Sequence, residues 1–300
     1  MKDGIRQVIG RTMQSLETAG HFLFHSYPRG QGGGDRADFD KTGLMGLNGK
    51  PLKIWHRDSR VVYAAYDSFA HSYWRAQEFS LFARHLSGLT RPLMDFGCGD
   101  GSFASVLFQE VEYGVDHDPE ALQAAKKYGL YCKHIQSIGG QIPLPDSVVS
   151  SVISNSVLEH VIQLDRILGE IHRVLKKDGI LMFTVPVGQF YRDFAKYFGT
   201  LASIRINRQH YHHNLLEPEE WCRILTRRSF SVIALIPYQP DWFTFNYWLF
   251  RYLSPRALGR LIHDIRDRVW TRYQERLIAM VNESIEETQA GGNIFLVCQK

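Results

Sequence analysis

A short apolar run that leads into a glycine-rich turn is the feature that most constrains this fold. Leu93–Phe96 are followed by Gly97, Gly99 and Gly101, and a helical pattern begins at Ser102. Glycines at alternate positions let the backbone turn sharply and leave no side chain between it and a ligand. A turn of this kind, at the end of the first strand of an α/β sheet, is where such sheets bind nucleotides.

The charge of this loop limits which kind of nucleotide it can bind. Asp95 and Asp100 would repel the pyrophosphate of a dinucleotide, and Ser102 stands where the third glycine of a dinucleotide loop belongs, which disfavours a nicotinamide oxidoreductase. S-adenosylmethionine carries an ammonium and a sulfonium and no phosphate, so it suits these acids. About 20 residues after the first acid, the distance expected for a ribose-binding carboxylate, Asp116 ends a second apolar run. We therefore predict S-adenosylmethionine as the cofactor.

Successive motifs along the chain resemble those of the class I S-adenosylmethionine-dependent methyltransferases, in the branch that acts on small molecules. They are DFGCGDG at 95–101, Asp116, IPLPD at 142–146 and SNSVLEH at 154–160. The likeness covers residues 61–236 and returns in the last strand. It implies methyl transfer from S-adenosylmethionine to a small or medium-sized acceptor, a natural product, sugar or lipid-like molecule. The transfer would be an in-line displacement that methylates oxygen or nitrogen.

The resemblance also implies which residues bind the cofactor. Tyr73 and Arg75 match positions that approach the methionine carboxylate, and a guanidinium is apt for that group. An amphipathic helix with Tyr73 in the core and Arg75 in solvent is the alternative. The adenine loop lacks its usual acid. The complete predicted set is Tyr73, Arg75, Asp95, Gly97, Cys98, Gly99, Gly101, Asp116, His117, Ser137, Ile138, Asn155, Ser156 and Val157.

Three histidines are the candidate catalytic residues. His160 would lie beside the methyl donor and could act as a general base, whereas its neighbour Glu159 is interpreted as the partner of Ser156 in a capping box. His212 matches a family position near the mouth of the pocket, and His210 is a candidate substrate contact or base. We predict no metal, because His210 and His212 would point in opposite directions on a strand and no acids or cysteines complete a ligand set.

The alternation of apolar runs and helical patterns predicts an α/β fold with a doubly wound, Rossmann-like sheet of about seven strands. The resemblance implies that the last strand is antiparallel. Residues 1–60 form an N-terminal arm with a glycine-rich loop over 28–51, either an exposed connector or a cover for the substrate. Residues 61–300 form the methyltransferase domain, with helical cap insertions at 187–217 and 237–290.

Charge and composition limit the binding partners that the protein is expected to have. The net charge of +4 is too small and scattered to indicate nucleic acid. The Pro-Pro-aromatic sequence of base and amide methyltransferases is missing after Asn155, although a nucleic-acid methyltransferase and a non-catalytic cofactor-binding module stay as alternatives. The sequence shows no signal peptide or membrane span, so we expect a cytoplasmic protein. The aromatic and basic segment 242–277 is interpreted as a pocket cap or homodimer contact, with peripheral membrane binding as the minority alternative.

Overall fold

The computed structural model describes residues 50–55, 59–66, 69–253 and 288–300, together with single positions and short pairs between 272 and 285. Most of the N-terminal arm, with nearly all of its glycine-rich loop, and most of the amphipathic stretch after Pro255 lie outside the described residues. The expectations for a flap, a dimer contact and a membrane-surface helix in these segments therefore stay predictions. None of the helices that the described residues form combines the length and the apolar character needed to cross a bilayer.

The described residues form a single seven-stranded sheet with helices on both faces. The strands are β1 (Leu93–Phe96), β2 (Val111–Asp116), β3 (Tyr131–Gln136), β4 (Val149–Asn155), β5 (Leu175–Pro186), β6 (Ser231–Tyr238) and β7 (Asn293–Gln299). The helices are α1 (Arg60–Ala65), α2 (Phe69–His85), α3 (Ser102–Leu107), α4 (Pro119–Ala125), α5 (Leu164–Val174), α6 (Gly188–Phe198), α7 (Thr200–His210), α8 (Pro218–Arg227) and α9 (Asp241–Leu253).

The strand order β3-β2-β1-β4-β5-β7-β6 reverses direction between β1 and β4. Strands β1 to β5 pair in parallel, whereas β7 lies antiparallel between β5 and β6. This arrangement confirms the predicted doubly wound sheet and its antiparallel last strand. In such sheets the ligand crevice lies at the carboxyl ends of the strands, where the order reverses. Here that point is the glycine loop after β1 and the residues after β4.

Burial on both faces explains why the central strands are so apolar. All but the last residue of β4 and of β7 is buried, as expected for strands covered by helices on each side. One face packs against α5, whose buried residues recur at helical spacing from Leu164 to Val174. The other face packs against α2 and α3. Two hydrophobic cores therefore enclose the sheet and fix its carboxyl edge.

Two element boundaries are set by the backbone. Helices α1 and α2 are separate, because Tyr66 is extended and ends α1. Strand β5 begins at Leu175, which pairs with Val149 before the register shifts ahead of Ser151. Both boundaries lie away from the carboxyl edge of the sheet.

The cap insertions fold as helices at that edge. The first insertion forms α6 and α7, and the second begins with α9, which packs against α2 and α6. Aromatic rings make these contacts: Tyr73 stacks on Phe243 with 4.0 Å between centroids, and Phe194 meets Trp248 at 4.8 Å. Aromatic pairs of this kind stabilise beyond the area they bury. The described part of both insertions therefore forms a helical cap joined to α2.

Candidate active site

The glycine loop has the backbone that its sequence predicts. Gly97, Gly99 and Gly101 all have positive φ, +75°, +53° and +79°, the left-handed region that favours glycine. A Cβ atom at Gly97 would lie 2.3 Å from Cγ2 of Val157. The backbone after β1 therefore approaches the residues after β4 more closely than any side chain at position 97 would allow.

Asp116 fastens this loop to β2. One of its carboxylate oxygens accepts a hydrogen bond from the Gly99 N–H at 2.8 Å, and the other accepts from the Asp118 N–H at 3.0 Å. The exposed ring of His117 lies beside it, with Nδ1 3.1 Å from Asp116 Oδ1. Each carboxylate oxygen can accept more than one bond, so Asp116 keeps capacity for ribose hydroxyls.

The two acids of the loop differ in their surroundings. Asp95 is buried and accepts a hydrogen bond from the Tyr131 hydroxyl at 2.6 Å. Burial raises the pKa of Asp95 to about 7, with a further increase from the nearby charge of Asp116. Asp100 lies at the surface, paired with Lys127 at 3.0 Å. The negative charge available to a bound cation therefore comes from Asp116 and, once its proton is released, from Asp95, because Lys127 compensates Asp100.

The loop after β3 is laid out for apolar contact. Ser137 is buried, and its hydroxyl donates to the Gln141 carbonyl oxygen at 2.7 Å, so its side chain braces the loop. Ile138 is 68% exposed, an unusual position for a large apolar side chain. This pair offers an exposed apolar side chain where the family usually has an acid.

Glu78 is the residue at this edge that the sequence analysis missed. Its carboxylate is completely buried; Oε1 accepts hydrogen bonds from Trp74 Nε1 and Ser156 Oγ, both at 2.8 Å. Oε2 accepts from Arg75 Nη1 at 2.5 Å and from Asn155 Nδ2 at 3.0 Å. The signal in the sequence was an acid within the apolar stripe of a helix, since buried carboxylates occur almost only when paired.

The predicted pair Tyr73 and Arg75 is separated by the structure. Tyr73 is fully buried against Phe243 and Phe250 in the core beneath the cap, as the alternative for Tyr73 proposed. Arg75 is 28% exposed and lines a cavity, so it is not the solvated residue of that alternative. Its second contact is Ser156 Oγ at 3.2 Å. Arg75 therefore connects the helix before the sheet to the end of β4.

A cavity of about 330 Å³ opens between the carboxyl edge of the sheet and the cap. It lies directly beside Asn155 and Val157, because Ser156 between them forms part of its wall. It combines aromatic, basic and imidazole side chains with one acid. The lining residues are His71, Trp74, Arg75, Ser156, Glu159, His160, Pro186, Phe190, His210, His212, Tyr247 and Arg251.

The three predicted histidines meet in this cavity. The rings of His160 and His212 are 4.8 Å apart, and the hydroxyl of Tyr191 lies 3.2 Å from His210 Nδ1 and 3.1 Å from His212 Nδ1. Burial lowers the pKa of His210 to about 4 and of His212 to about 3, and it also lowers the pKa of His160. All three rings are therefore neutral at pH 7 and can accept a proton or bind a cation.

Glu159 is not a helix cap. The 3-10 turn Leu158–His160 has Val157 as its N-cap, without a side-chain hydrogen bond, and the hydroxyl of Ser156 bonds to Glu78 instead. Ser156 has φ +53°, whereas a capping residue needs an extended backbone. Glu159 is 2% exposed, and its Oε2 has no hydrogen-bond partner among the described residues. Burial raises the pKa of Glu159 to about 8.

The structure contradicts both sequence-based arguments against a metal, namely oppositely directed histidines and the lack of an acid. His210 ends helix α7, and Tyr211 turns the chain in a left-handed conformation, φ +53°, so both histidines reach the same Tyr191 hydroxyl. An acid lies next to two of the histidines. Glu159, His160 and His212 each offer one ligand atom, and these atoms lie within 4.8 Å of one another. One carboxylate and two imidazoles are a ligand set that transition metals accept.

Comparison with known proteins agrees with the fold and the motifs. Residues 94–183 match the family model described as a methyltransferase domain. A probable S-adenosylmethionine-dependent methyltransferase of Mycobacterium tuberculosis is 28% identical over 118 residues, 38% of this chain and 43% of that protein. An uncharacterized methyltransferase of Mycobacterium sp. (strain KMS) is 31% identical over 130 residues, 41% of this chain and 52% of that protein. The aligned region spans about half the length of these relatives.

Among solved structures, geranyl diphosphate C-methyltransferase from Streptomyces coelicolor A3(2) is similar with a TM-score of 0.50 and 15% identity, over 78% of this chain and 84% of that one. That likeness concerns the fold. The family match and the similar proteins identify residues 94–183, which include the glycine loop, as a methyltransferase domain. The predicted methyltransferase domain is confirmed.

Proposed function

We propose that this protein transfers the methyl group of S-adenosylmethionine to a small or medium-sized acceptor bound in the cavity beneath the cap. The observation that carries the proposal is the shared wall at Ser156. Its neighbours Asn155 and Val157 are cofactor candidates, while Ser156 itself lines the cavity beside Arg75. A nucleophile in the cavity can therefore approach a methyl group held at the end of β4.

The cofactor would lie across the carboxyl ends of β1, β2 and β4. Asp95 would receive the ammonium group, and Asp116 the ribose hydroxyls. Arg75 is the cation available for the methionine carboxylate, since it reaches the end of β4 while Glu78 holds it in place. The exposed Ile138 would pack on the adenine.

The cavity favours an acceptor with an apolar body and a polar or anionic group. Trp74, Phe190 and Tyr247 supply ring surfaces, whereas Arg75 and Arg251 supply positive charge. A volume of about 330 Å³ is at the small end of ligand pockets, which run from roughly 300 to 1,000 Å³. Aromatic or terpenoid hydroxy compounds and carboxylates have this character.

For a hydroxyl acceptor, the oxygen attacks the methyl carbon in line, and the bond from that carbon to sulfur breaks. The electron pair of the broken bond stays on sulfur, and the hydroxyl proton passes to a neutral imidazole of the cavity, for which His160, in the turn that follows β4, is a candidate. Much of the rate comes from holding the nucleophile and the methyl group in line. His210 and His212 would contact the acceptor.

The test has two steps. Thermal-shift measurements with S-adenosylmethionine, S-adenosylhomocysteine and NAD establish the cofactor; we expect stabilisation by the first two and none by NAD. Incubation with a deuterated-methyl cofactor and libraries of hydroxy and amino compounds then identifies acceptors by the mass gain of a labelled methyl group. Cofactor binding without label transfer to any compound, including cell extract of the source organism, would contradict the proposal.

A further inference from the structure

We propose that Glu159, His160 and His212 bind one divalent transition-metal cation in the wall of the cavity, with an open coordination position toward the acceptor. Binding of the metal is argued from these residues alone. Only its role, as the ligand of an acceptor oxygen, rests on the proposed methyl transfer.

The three ligands are held together by the backbone. Glu159 and His160 belong to the 3-10 turn after β4, and His212 follows helix α7. The Glu159 carbonyl oxygen accepts hydrogen bonds from the His213 N–H at 2.8 Å and the Asn214 N–H at 3.0 Å. Residues 52 apart in sequence are therefore fixed side by side. Their ligand atoms lie within 4.8 Å of one another, and small side-chain rotations would bring them to the spacing that bonds of about 2.1 Å require.

The carboxylate of Glu159 is the second, independent observation. It is 2% exposed and faces the cavity, and its Oε2 has no hydrogen-bond partner among the described residues. The other oxygen, Oε1, lies 3.7 Å from His160 Nε2, beyond a hydrogen bond, and the carboxylate also has a hydrogen bond from the residue's own backbone N–H. A buried carboxylate oxygen without a hydrogen-bond partner is costly. A cation bound between Glu159 and the two imidazoles would compensate that cost.

The histidines present the correct nitrogen atoms. His160 Nδ1 is 3.4 Å from the Tyr211 carbonyl oxygen, and His212 Nδ1 is 3.1 Å from the Tyr191 hydroxyl. With each Nδ1 directed to its partner, Nε2 of both rings is left for a metal. Metal-binding histidines commonly have this arrangement, in which the second nitrogen donates to an oxygen that orients the ring.

The ligand set indicates the kind of metal. Mg²⁺ and Ca²⁺ prefer oxygen ligands, whereas two imidazoles with one carboxylate suit Zn²⁺, Fe²⁺ or Co²⁺. Three protein ligands leave a coordination position for water or a substrate oxygen. A cation at this point would lower the pKa of a bound hydroxyl and so favour the ionised oxygen as the nucleophile in methyl transfer. With His160 occupied as a ligand, the released proton would pass to His210, which is not one of the three ligands.

The test uses the full chain, freed of metal with a chelator and titrated with Co²⁺ and Zn²⁺. We expect one equivalent of Co²⁺ to give a visible absorption spectrum, and Zn²⁺ to displace it. E159Q, H160A and H212A should each weaken binding tenfold or more. H213A is the matched control, because His213 is exposed beside His212 and is not one of the three residues that offer a ligand atom; it should bind as the wild type does.

Thermal unfolding and binding of S-adenosylhomocysteine show that each variant is folded. Absence of stoichiometric metal binding in the wild type, or equal affinities in H160A, H212A and H213A, would overturn the proposal. The metal titrations themselves need neither cofactor nor acceptor. A protein that binds the metal but transfers no methyl group would contradict the proposed function and support the metal site. A protein that transfers a methyl group but binds no metal would contradict the metal site and support the proposed function.

Discussion

Glu78 Oε2 accepts a hydrogen bond from Arg75 Nη1 at 2.5 Å, and the Glu78 carboxylate is completely buried. The same carboxylate binds Asn155 and Ser156 at the end of β4. This contact joins the helix before the sheet to the edge where the methyl donor is proposed to bind. The positions of Arg75 and of residues 155–156 therefore depend on a single acid.

Replacing that acid tests its role. We expect E78Q to lower the free energy of unfolding by about 3 kcal/mol, because removing one partner of a buried ion pair leaves the other uncompensated. It should also weaken S-adenosylmethionine binding. K53M breaks the exposed pair with Glu110 and should cost less than about 1 kcal/mol. Urea unfolding measures both, and equal small losses would contradict a structural role for Glu78.

Asp95 should make the cofactor-free protein less stable as pH rises. Burial raises its pKa to about 7 in the folded chain, whereas an unfolded Asp titrates near 3.9. At pH values between these two pKa values, Asp95 is protonated in the folded state and ionised in the unfolded state. Its contribution to the free energy of unfolding therefore falls as pH rises from about 4 to about 7. D95N should remove this slope. Urea unfolding between pH 4 and pH 8 measures it, and identical slopes in wild type and D95N would contradict the burial of the charge.

Cofactor binding should release a proton from the same group. An ammonium beside Asp95 favours the carboxylate, and near pH 6.5 the ligand amine is already protonated, its usual pKa being about 7.7–8.0. We expect about half a proton or more to be released per S-adenosylhomocysteine bound. Calorimetry in two buffers of different ionisation enthalpy measures the number. D95N should release none, and a wild-type heat independent of buffer would show that Asp95 does not meet the ammonium.

Gly97 should be intolerant of any side chain. In G97A the new Cβ would lie 2.3 Å from Val157 Cγ2, on a backbone with φ +75°. G129A is the matched control, since Gly129 has φ +58° and nothing within 4 Å of its added Cβ; the left-handed backbone alone costs about 1–2 kcal/mol. We expect G97A to lose more stability than G129A and to lose cofactor binding, as unfolding and calorimetry would measure. Equal losses would contradict the close approach of the two loops.

The sequence was sufficient to predict local structural motifs but not contacts between residues far apart in the chain. The strand, glycine turn and helix of 93–107 lie within one continuous stretch, so their spacing and residue types were sufficient. Glu78 meets Ser156 across 78 positions, and no local pattern encodes that contact. The capping-box interpretation of Ser156 and Glu159 was wrong because Ser156 has a positive φ. With that backbone the Ser156 hydroxyl donates to Glu78. Glu159 Oε2 is left in the cavity wall without a hydrogen-bond partner among the described residues.

The histidine cluster shows the same limit. Its residues were identified singly, but their meeting depends on the left-handed turn at Tyr211 and on Tyr191, a residue of the cap helix α6. The two alternatives left open for Tyr73, a cofactor contact or a core position, show a related limit. Whether a tyrosine on an amphipathic helix faces a ligand or a core depends on what covers the helix, and here α9 covers it.

Calorimetric titration of the full chain with S-adenosylhomocysteine, repeated on D116N, is the most direct test of the central claim that Asp95 and Asp116 form a site for a nucleoside that carries an ammonium group. We predict one bound ligand per chain in the wild type and an affinity at least tenfold lower in D116N, because the variant weakens both the hold on Gly99 and the acceptor for the ribose. No heat with the wild type, or an unchanged affinity in D116N, would contradict the account.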